Sequence, residues 1–301
     1  MGVFSSSSVT AAVLSVFLYW FLCPVLDPHK NVTKITTGQH VVITGASQGI
    51  GRSLVTEYAK RGASKICIVA RNEERLLQAK RDVESAYPNT TILVIPADLS
   101  TEGKCTSVIE SAIEAMDGKL DVLLLNHISS SRYGTWLEAV SRSDKFLVDM
   151  FHTNVFSYVW MATAAMETLK RSPNGGRIGI VSSLSGHVAT PKTATYTATK
   201  HALHGFFNSF RLELEYIGIK NISITLCAIG ATDTEGAAEV KGKLHPSLTW
   251  DPPEWAAESI VRGVALKIRE IFHPHYIVFP SIQIYNLFPY LMERILLKTL
   301  I

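Results

Sequence analysis

Three residues have the types and spacing for proton chemistry on a carbonyl or an alcohol. Tyr196 and Lys200 stand four apart in Tyr196-Thr197-Ala198-Thr199-Lys200, which on a helix puts both on one face, one turn apart. A phenol titrates near pH 10 and is a poor acid or base at neutrality until a nearby cation lowers that value; Lys200 is the cation in reach. Upstream, Ser183 closes the apolar run Ile178-Gly179-Ile180-Val181-Ser182-Ser183. That brings a second hydroxyl to the exit of a predicted strand, where α/β sheets build their sites. Alternation along the strand turns the adjacent Ser182 into the sheet. No metal is needed for such chemistry. On its own, a tyrosine and a lysine at this spacing also describe a surface pair on any helix, so the surrounding elements decide.

Those elements alternate. Residues 39–44 read as a buried strand, followed by Thr44-Gly45-Ala46-Ser47-Gln48-Gly49-Ile50-Gly51 and a helical pattern through Arg61. A strand, a glycine turn and a helix form the setting in which a pyrophosphate sits at a helix N-terminus, with glycines admitting the backbone to the phosphates. A second strand over 65–70 ends in Ala70-Arg71-Asn72. An acid at this strand end would hold a ribose hydroxyl, whereas an arginine suits a 2′-phosphate, so the cofactor expected is NADP(H), with Arg71 as a solvated loop residue the alternative. Further strands are expected over 91–96, leading to Asp98-Leu99, over 122–125, leading to Asn126-His127-Ile128, and over 223–228. A long helical pattern over 143–171 carries Asn154.

Together these motifs resemble the short-chain dehydrogenase/reductase superfamily, whose glycine turn has the spacing T-G-x-x-x-G-x-G found here rather than G-x-G-x-x-G. Leu125-Asn126-His127-Ile128 stands where the family usually has N-N-A-G. With Gly205-Phe206-Phe207 and Ile224-Thr225-Leu226-Cys227 followed by Gly230 and Asp233-Thr234-Glu235, it resembles the 11β-hydroxysteroid dehydrogenase type 1 branch. The resemblance covers about residues 39–272 and implies a catalytic set of Asn154, Ser183, Tyr196 and Lys200. Ser183 and Tyr196 would bind the substrate oxygen. Tyr196 would exchange the proton, Lys200 would lower the tyrosine pKa and bind the nicotinamide ribose, and Asn154 would hold a water on a proton path to the lysine. Cofactor contacts are implied at Gly45, Ser47, Gln48, Gly49, Ile50, Gly51, Arg71, Asn72, Asp98, Leu99, Asn126, Tyr196, Lys200, Ile229, Thr232 and Thr234. Asp98 reads equally as the N-cap of the next helix. Gln48 stands where many NADP-preferring relatives have a basic residue, and Ile229 replaces the usual proline. His127 is read as structural.

The 301 residues carry a net charge of +3 and no basic block, which argues against nucleic-acid binding. Cys23, Cys67, Cys105 and Cys227 show no paired spacing, so neither a disulfide framework nor a zinc site is expected. Residues 8–26 hold no charge and are long enough to span a bilayer. An uncleaved anchor is favoured over a signal peptide, because no basic segment precedes the run and no small-x-small cleavage site follows it. Lys30 and Lys34 would place the body on the cytoplasmic side, while sequons at Asn31, Asn89 and Asn221 would matter only on the lumenal side, so the side of the membrane stays open. The apolar loop 235–253, with Ala237, Ala238, Val240, Leu244 and Leu248, suggests a lipophilic ligand. The apolar tail 276–301 would pack on a partner, lie at a membrane surface or cover the substrate mouth, the membrane surface being preferred; Pro280 and Pro289 argue against one straight spanning helix.

The expectation is a single Rossmann-type doubly wound parallel sheet over 39–275, behind an anchor (1–26) and a linker (27–38), with the apolar segment 276–301 after it. The expected activity is NADP(H)-dependent interconversion of a ketone and a secondary alcohol on a lipophilic, steroid-like substrate, by a homodimer at the endoplasmic reticulum membrane. A reductase of retinoid, sphingoid or xenobiotic carbonyls is the rival enzyme. A membrane-tethered dinucleotide-binding protein without turnover is the rival outside catalysis.

Overall fold

The structure is a computed structural model that describes residues 32–129, 133–140, 145–243 and 248–299. A short α1 (Val32–Thr36) precedes β1 (His40–Thr44), α2 (Gly49–Lys60), β2 (Lys65–Ala70), α3 (Glu73–Ala86), β3 (Thr91–Pro96), α4 (Glu102–Ala115) and β4 (Val122–Leu125). The second half holds α5 (Trp136–Val140), α6 (Lys145–Phe151), a π-helical turn (His152–Phe156), α7 (Ser157–Lys170), β5 (Gly176–Val181), α8 (Ala194–Tyr216) and β6 (Ile222–Ile229). It closes with α9 (Ala238–Lys241), α10 (Pro253–Ala265), β7 (Glu270–His273), α11 (His275–Leu287) and α12 (Pro289–Thr299). The seven strands form one parallel sheet in the order β3-β2-β1-β4-β5-β6-β7. This is the doubly wound Rossmann-type arrangement expected.

Helices cover both faces, which is why β1, β4 and β5 are buried along their whole lengths and read as apolar runs. One core lies where α2, α3 and α10 meet the sheet, around Ile43, Leu54, Tyr58, Ile66 and Ile260; the other lies under α4, α7 and α8, around Leu123, Tyr158, Met161, Leu203 and Phe207. Cys67, Cys105 and Cys227 are buried and free.

The structure revises three sequence expectations about elements. The strand predicted to run to Ser183 stops at Val181, and Ser183 instead caps the 3₁₀ turn Leu184–Gly186 by accepting a hydrogen bond from Ser185 N at 3.1 Å. The single helix predicted over 143–171 is α6 and α7 joined through the π turn, residues 143 and 144 lying outside the described set. Pro280 sits inside α11, while Pro289 opens α12, so only the second proline marks a break. The predicted anchor lies outside the described residues; among those described, no helix is long and apolar enough to cross a membrane. Helices α11 and α12 fold back against Val188 and Ala228 as a third apolar cluster and line the central cavity through Ile277, Met292 and Leu296. The tail thus forms one wall of the cavity, as its mouth-covering reading expected.

Candidate active site

The chain leaves β1 toward one edge of the sheet and β4 toward the other, so the crevice between their carboxyl ends is the natural ligand position. The glycine turn lies here. Gly45 and Gly49 have φ of +65° and +53°, a region side chains disfavour. A Cβ on Gly51 would fall 2.0 Å from Gly45 O and 2.6 Å from Asn126 Nδ2. Asn126 binds the turn in place: its backbone N donates to Thr44 Oγ1 at 2.9 Å, and its Nδ2 donates to Thr44 O at 3.2 Å and Gly45 O at 3.3 Å. A backbone stripped of side chains at the start of α2 fits a dinucleotide pyrophosphate. Gly51→Ala is expected to abolish dinucleotide binding and to cost about 1–3 kcal/mol by overpacking. Thermal melts and NADPH fluorescence titration check this, and binding like that of the parent chain would refute it.

The other expected cofactor residues divide. Ile50, Asn126, Ile229, Thr232 and Thr234 line the same cavity as Ser183, Tyr196 and Lys200. Arg71 is exposed at the exit of β2. Asn72 is occupied as the N-cap of α3, accepting from Arg75 N at 2.9 Å. Gln48 Oε1 accepts from Arg75 Nη1, which also pairs with Glu235 Oε2 at 2.7 Å, so Arg75 straps the glycine turn to the loop after β6. Nothing in the sequence pattern singled out Arg75. Leu99 is buried in the core. Asp98 accepts from Ser100 Oγ at 3.0 Å and does not cap α4, a position held by Thr101.

On the catalytic side, the β5 exit and α8 bring Ser183, Tyr196 and Lys200 to one cavity. Lys200 is 1% exposed; its Nζ donates to Val181 O at 2.9 Å and lies 5.6 Å from the Tyr196 ring centre. Burial lowers the Lys200 pKa to about 7. Tyr196 is half-buried, and burial raises its pKa, opposed by a hydrogen bond with Ser183. The sequence expectation that Lys200 depresses the tyrosine pKa is therefore corrected: the phenol's own removal from water raises the value, and the group that opposes this rise is Ser183 through its hydrogen bond rather than the lysine.

Asn154 is fully buried in the π turn, a feature frequent at functional sites. Its Oδ1 accepts from Ser129 N at 2.8 Å and its Nδ2 donates to Thr199 Oγ1 at 3.3 Å. It thereby ties the loop after β4 to α8, beside Lys200. His127 is fixed on both sides, with Nδ1 2.8 Å from Thr44 Oγ1 and Nε2 2.7 Å from Ser157 Oγ, and burial pushes its pKa down to about 3. It stays neutral and structural. Ser182 is buried, with its Oγ 2.9 Å from His204 Nε2 on α8.

The cavity measures about 470 Å³, within the range of roughly 300–1,000 Å³ usual for small-molecule sites. Apart from the polar groups above, its walls are mainly apolar: Ile128, Tyr133, Trp136 and Met150 from the segments after β4, Ala237, Val240 and Leu248 from the loop after β6, and Ile277, Met292 and Leu296 from α11 and α12. Leu244 lies outside the described residues. The wall after β4 was not singled out by pattern, since it carries no motif, whereas the C-terminal helices fall in the apolar tail for which a cover over the substrate mouth was one of three readings.

Comparison with known proteins agrees with this geometry. The family model described as short chain dehydrogenase matches residues 39–244. A hydroxysteroid 11-beta-dehydrogenase 1-like protein of Gallus gallus is 38% identical over 275 residues, covering 91% of this chain and 90% of its own length. A protein of the same description from Danio rerio is 36% identical over 260 residues, 86% of each. Among solved structures, a 3-oxoacyl (acyl-carrier-protein) reductase of Agrobacterium tumefaciens with NADP bound is similar in fold, with a TM-score of 0.69 at 20% identity, covering 82% of this chain and 98% of its own. An alcohol dehydrogenase of the archaeon Thermococcus sibiricus complexed with 5-hydroxy-NADP gives 0.67 at 21% identity, covering 78% and 95%. With a family match over most of its length and relatives above 30% identity along nearly all of it, the chain belongs to the short-chain dehydrogenase family of NAD(P)-binding oxidoreductases, alongside the hydroxysteroid 11-beta-dehydrogenase 1-like proteins.

Proposed function

We propose that this protein reduces a ketone, or oxidises the corresponding secondary alcohol, on a lipophilic steroid-like substrate, using NADP(H). The carrying observation is a single cavity in which Ser183 and Tyr196 face mainly apolar walls from three separate parts of the chain. Such walls give binding energy to a hydrocarbon skeleton, while the Ser183 and Tyr196 hydroxyls beside Lys200 orient its oxygen. The names of the relatives favour a steroid over other lipophilic ketones. When bound, the nicotinamide carries the hydride. Ser183 and Tyr196 hold the substrate oxygen, and the Tyr196 hydroxyl gives up the proton in reduction. Lys200, with its pKa near neutrality, is suited to return a proton to that hydroxyl. Asn154 keeps the loop after β4 and α8 in register. Arg71, exposed where β2 ends, is the group for a 2′-phosphate, and this supports NADP(H) over NAD(H).

An endoplasmic reticulum membrane location and a homodimer belong to the same reading. The uncharged run 8–26 and the exposed Leu287, Phe288, Tyr290 and Leu291, on the helices that also line the cavity and the turn between them, support contact with lipid, from which such a substrate would partition. The test is oxidation of NADPH by the detergent-solubilised full chain over ketosteroids and simple lipophilic ketones, with NADH in parallel. Ketosteroid turnover that is weak with NADH is the expected result. Turnover of simple ketones alone would remove the steroid assignment, and NADPH binding without any turnover would favour a non-catalytic tether.

A further inference from the structure

Behind the catalytic loop, three side chains that this reaction leaves unused converge from separate elements. His187 follows the 3₁₀ turn that Ser183 caps, His204 lies one turn beyond Lys200 on α8, and Glu270 opens β7. Glu270 Oε1 is 2.6 Å from His187 Nε2 and 3.3 Å from His204 Nδ1. One ligand atom from each of the three lies within 4.8 Å of the others. His204 is only 5% exposed, yet its Nδ1 makes no hydrogen bond, while its Nε2 is held by Ser182 Oγ at 2.9 Å. Gly186 makes room for this ring, since a Cβ there would fall 2.4 Å from His204 Cδ2. In the tautomer that donates Nε2–H to Ser182, the Nδ1 lone pair faces a Glu270 carboxylate oxygen 3.3 Å away, an arrangement that a bound cation would satisfy. An imidazole anchored through one nitrogen to an oxygen and presenting the other is the usual arrangement of a metal-ligating histidine.

We propose that His187, His204 and Glu270 bind a zinc ion, with solvent as the fourth ligand. Two imidazoles and a carboxylate suit a borderline cation; magnesium and calcium prefer all-oxygen sets. Ligand atoms around tetrahedral zinc lie roughly 3.4 Å apart, given bonds of about 2.0–2.2 Å. The His204–Glu270 spacing is already close to this, and the His187–Glu270 pair opens by less than about 1 Å when metal replaces the proton between them. The His187 and Glu270 side chains are 24% and 23% exposed, which provides an entry path and room for water. The ion would clamp the loop bearing Ser183 and the helix bearing Tyr196 and Lys200 to β7, fixing the two substrate-facing hydroxyls relative to each other. None of the three is a cysteine and they are far apart in sequence, which is why cysteine spacing gave no sign of a zinc site.

The full chain, stripped with chelator, is titrated with zinc chloride against a chromophoric competing chelator, and His187→Ala and Glu270→Gln are treated identically. Both changes fall on half-buried groups, and circular dichroism verifies that each variant folds. One zinc per parent chain is expected, with affinity at least 10-fold weaker in each variant. Zinc should raise the melting temperature of the parent chain but not of His187→Ala, and cobalt in its place should show the visible absorption of a tetrahedral site. Absence of binding to the parent chain, or affinity unchanged in both variants, overturns the proposal.

Discussion

Tyr196→Phe is expected to lower kcat for ketone reduction by about 10³-fold while leaving NADPH affinity and the melting temperature close to those of the parent chain. The substitution removes one oxygen and keeps the ring, so the packing around Lys200 and Tyr158 is retained. What is lost is the proton donor, and a positioned acid or base is worth roughly 10²–10⁴ in rate. The buried setting sharpens the expectation. Because burial holds the Tyr196 pKa above its ordinary value, the group is a neutral phenol throughout the neutral range and is always loaded for reduction. Oxidation needs the phenolate instead, so its rate should climb with pH well into the alkaline range while reduction stays flat there. Steady-state kinetics in both directions, with cofactor binding followed by fluorescence, checks both statements. A variant keeping more than a tenth of the parental kcat would show that Ser183 or solvent supplies the proton and that the tyrosine merely positions the substrate.

How far the sequence carried this reading depends on the range of the forces involved. The strands over 65–70 and 122–125 are found at their predicted bounds because runs buried on both faces announce themselves by composition, and the half-buried edge strand over 91–96 is found at its bounds through its apolar, β-branched residues. The glycine turn was equally plain, since its spacing answers a local backbone demand. Ser183 was placed correctly in the site but assigned to the wrong element: apolarity fades at Ser182 without revealing that the next residue turns to cap Leu184–Gly186. The π turn at Asn154 leaves no periodic trace over five residues. The direction of the Tyr196 shift was missed because desolvation is set by everything packed around a group, whereas the lysine four residues away is visible in the sequence. The same holds for Arg75, drawn to Glu235 from 160 positions away; for the C-terminal helices, apolar composition left three readings open, and whether they line the cavity depends on how the chain returns across the sheet.

Lys200→Met is expected to abolish turnover and yet stabilise the fold, most strongly at neutral and lower pH. The Lys200 pKa falls from 10.5 to about 7 on burial; at about 1.4 kcal/mol per unit, folding the charged lysine costs roughly 4–5 kcal/mol. The sign follows from proton binding. Between pH 7 and 10.5 the unfolded chain holds the proton and the folded chain does not, so this residue makes stability rise with pH across that window. The penalty is greatest below about pH 7 and vanishes above the unfolded value. Methionine removes it but leaves Val181 O without the bond from Nζ, which costs about 1–3 kcal/mol. The net gain at pH 7 is therefore about 2 kcal/mol, seen as a rise of roughly 5 °C in melting temperature. That gain should shrink and then reverse as melts are repeated up to pH 10, because the lysine penalty fades while the lost hydrogen bond does not. A gap between the two proteins that is constant with pH would mean that Lys200 is charged in the folded state at all these values. The role of Lys200 in returning a proton near neutrality would then have no physical basis. A gap that closes as described would show that the fold gives up stability to keep a readily titrated ammonium beside Tyr196.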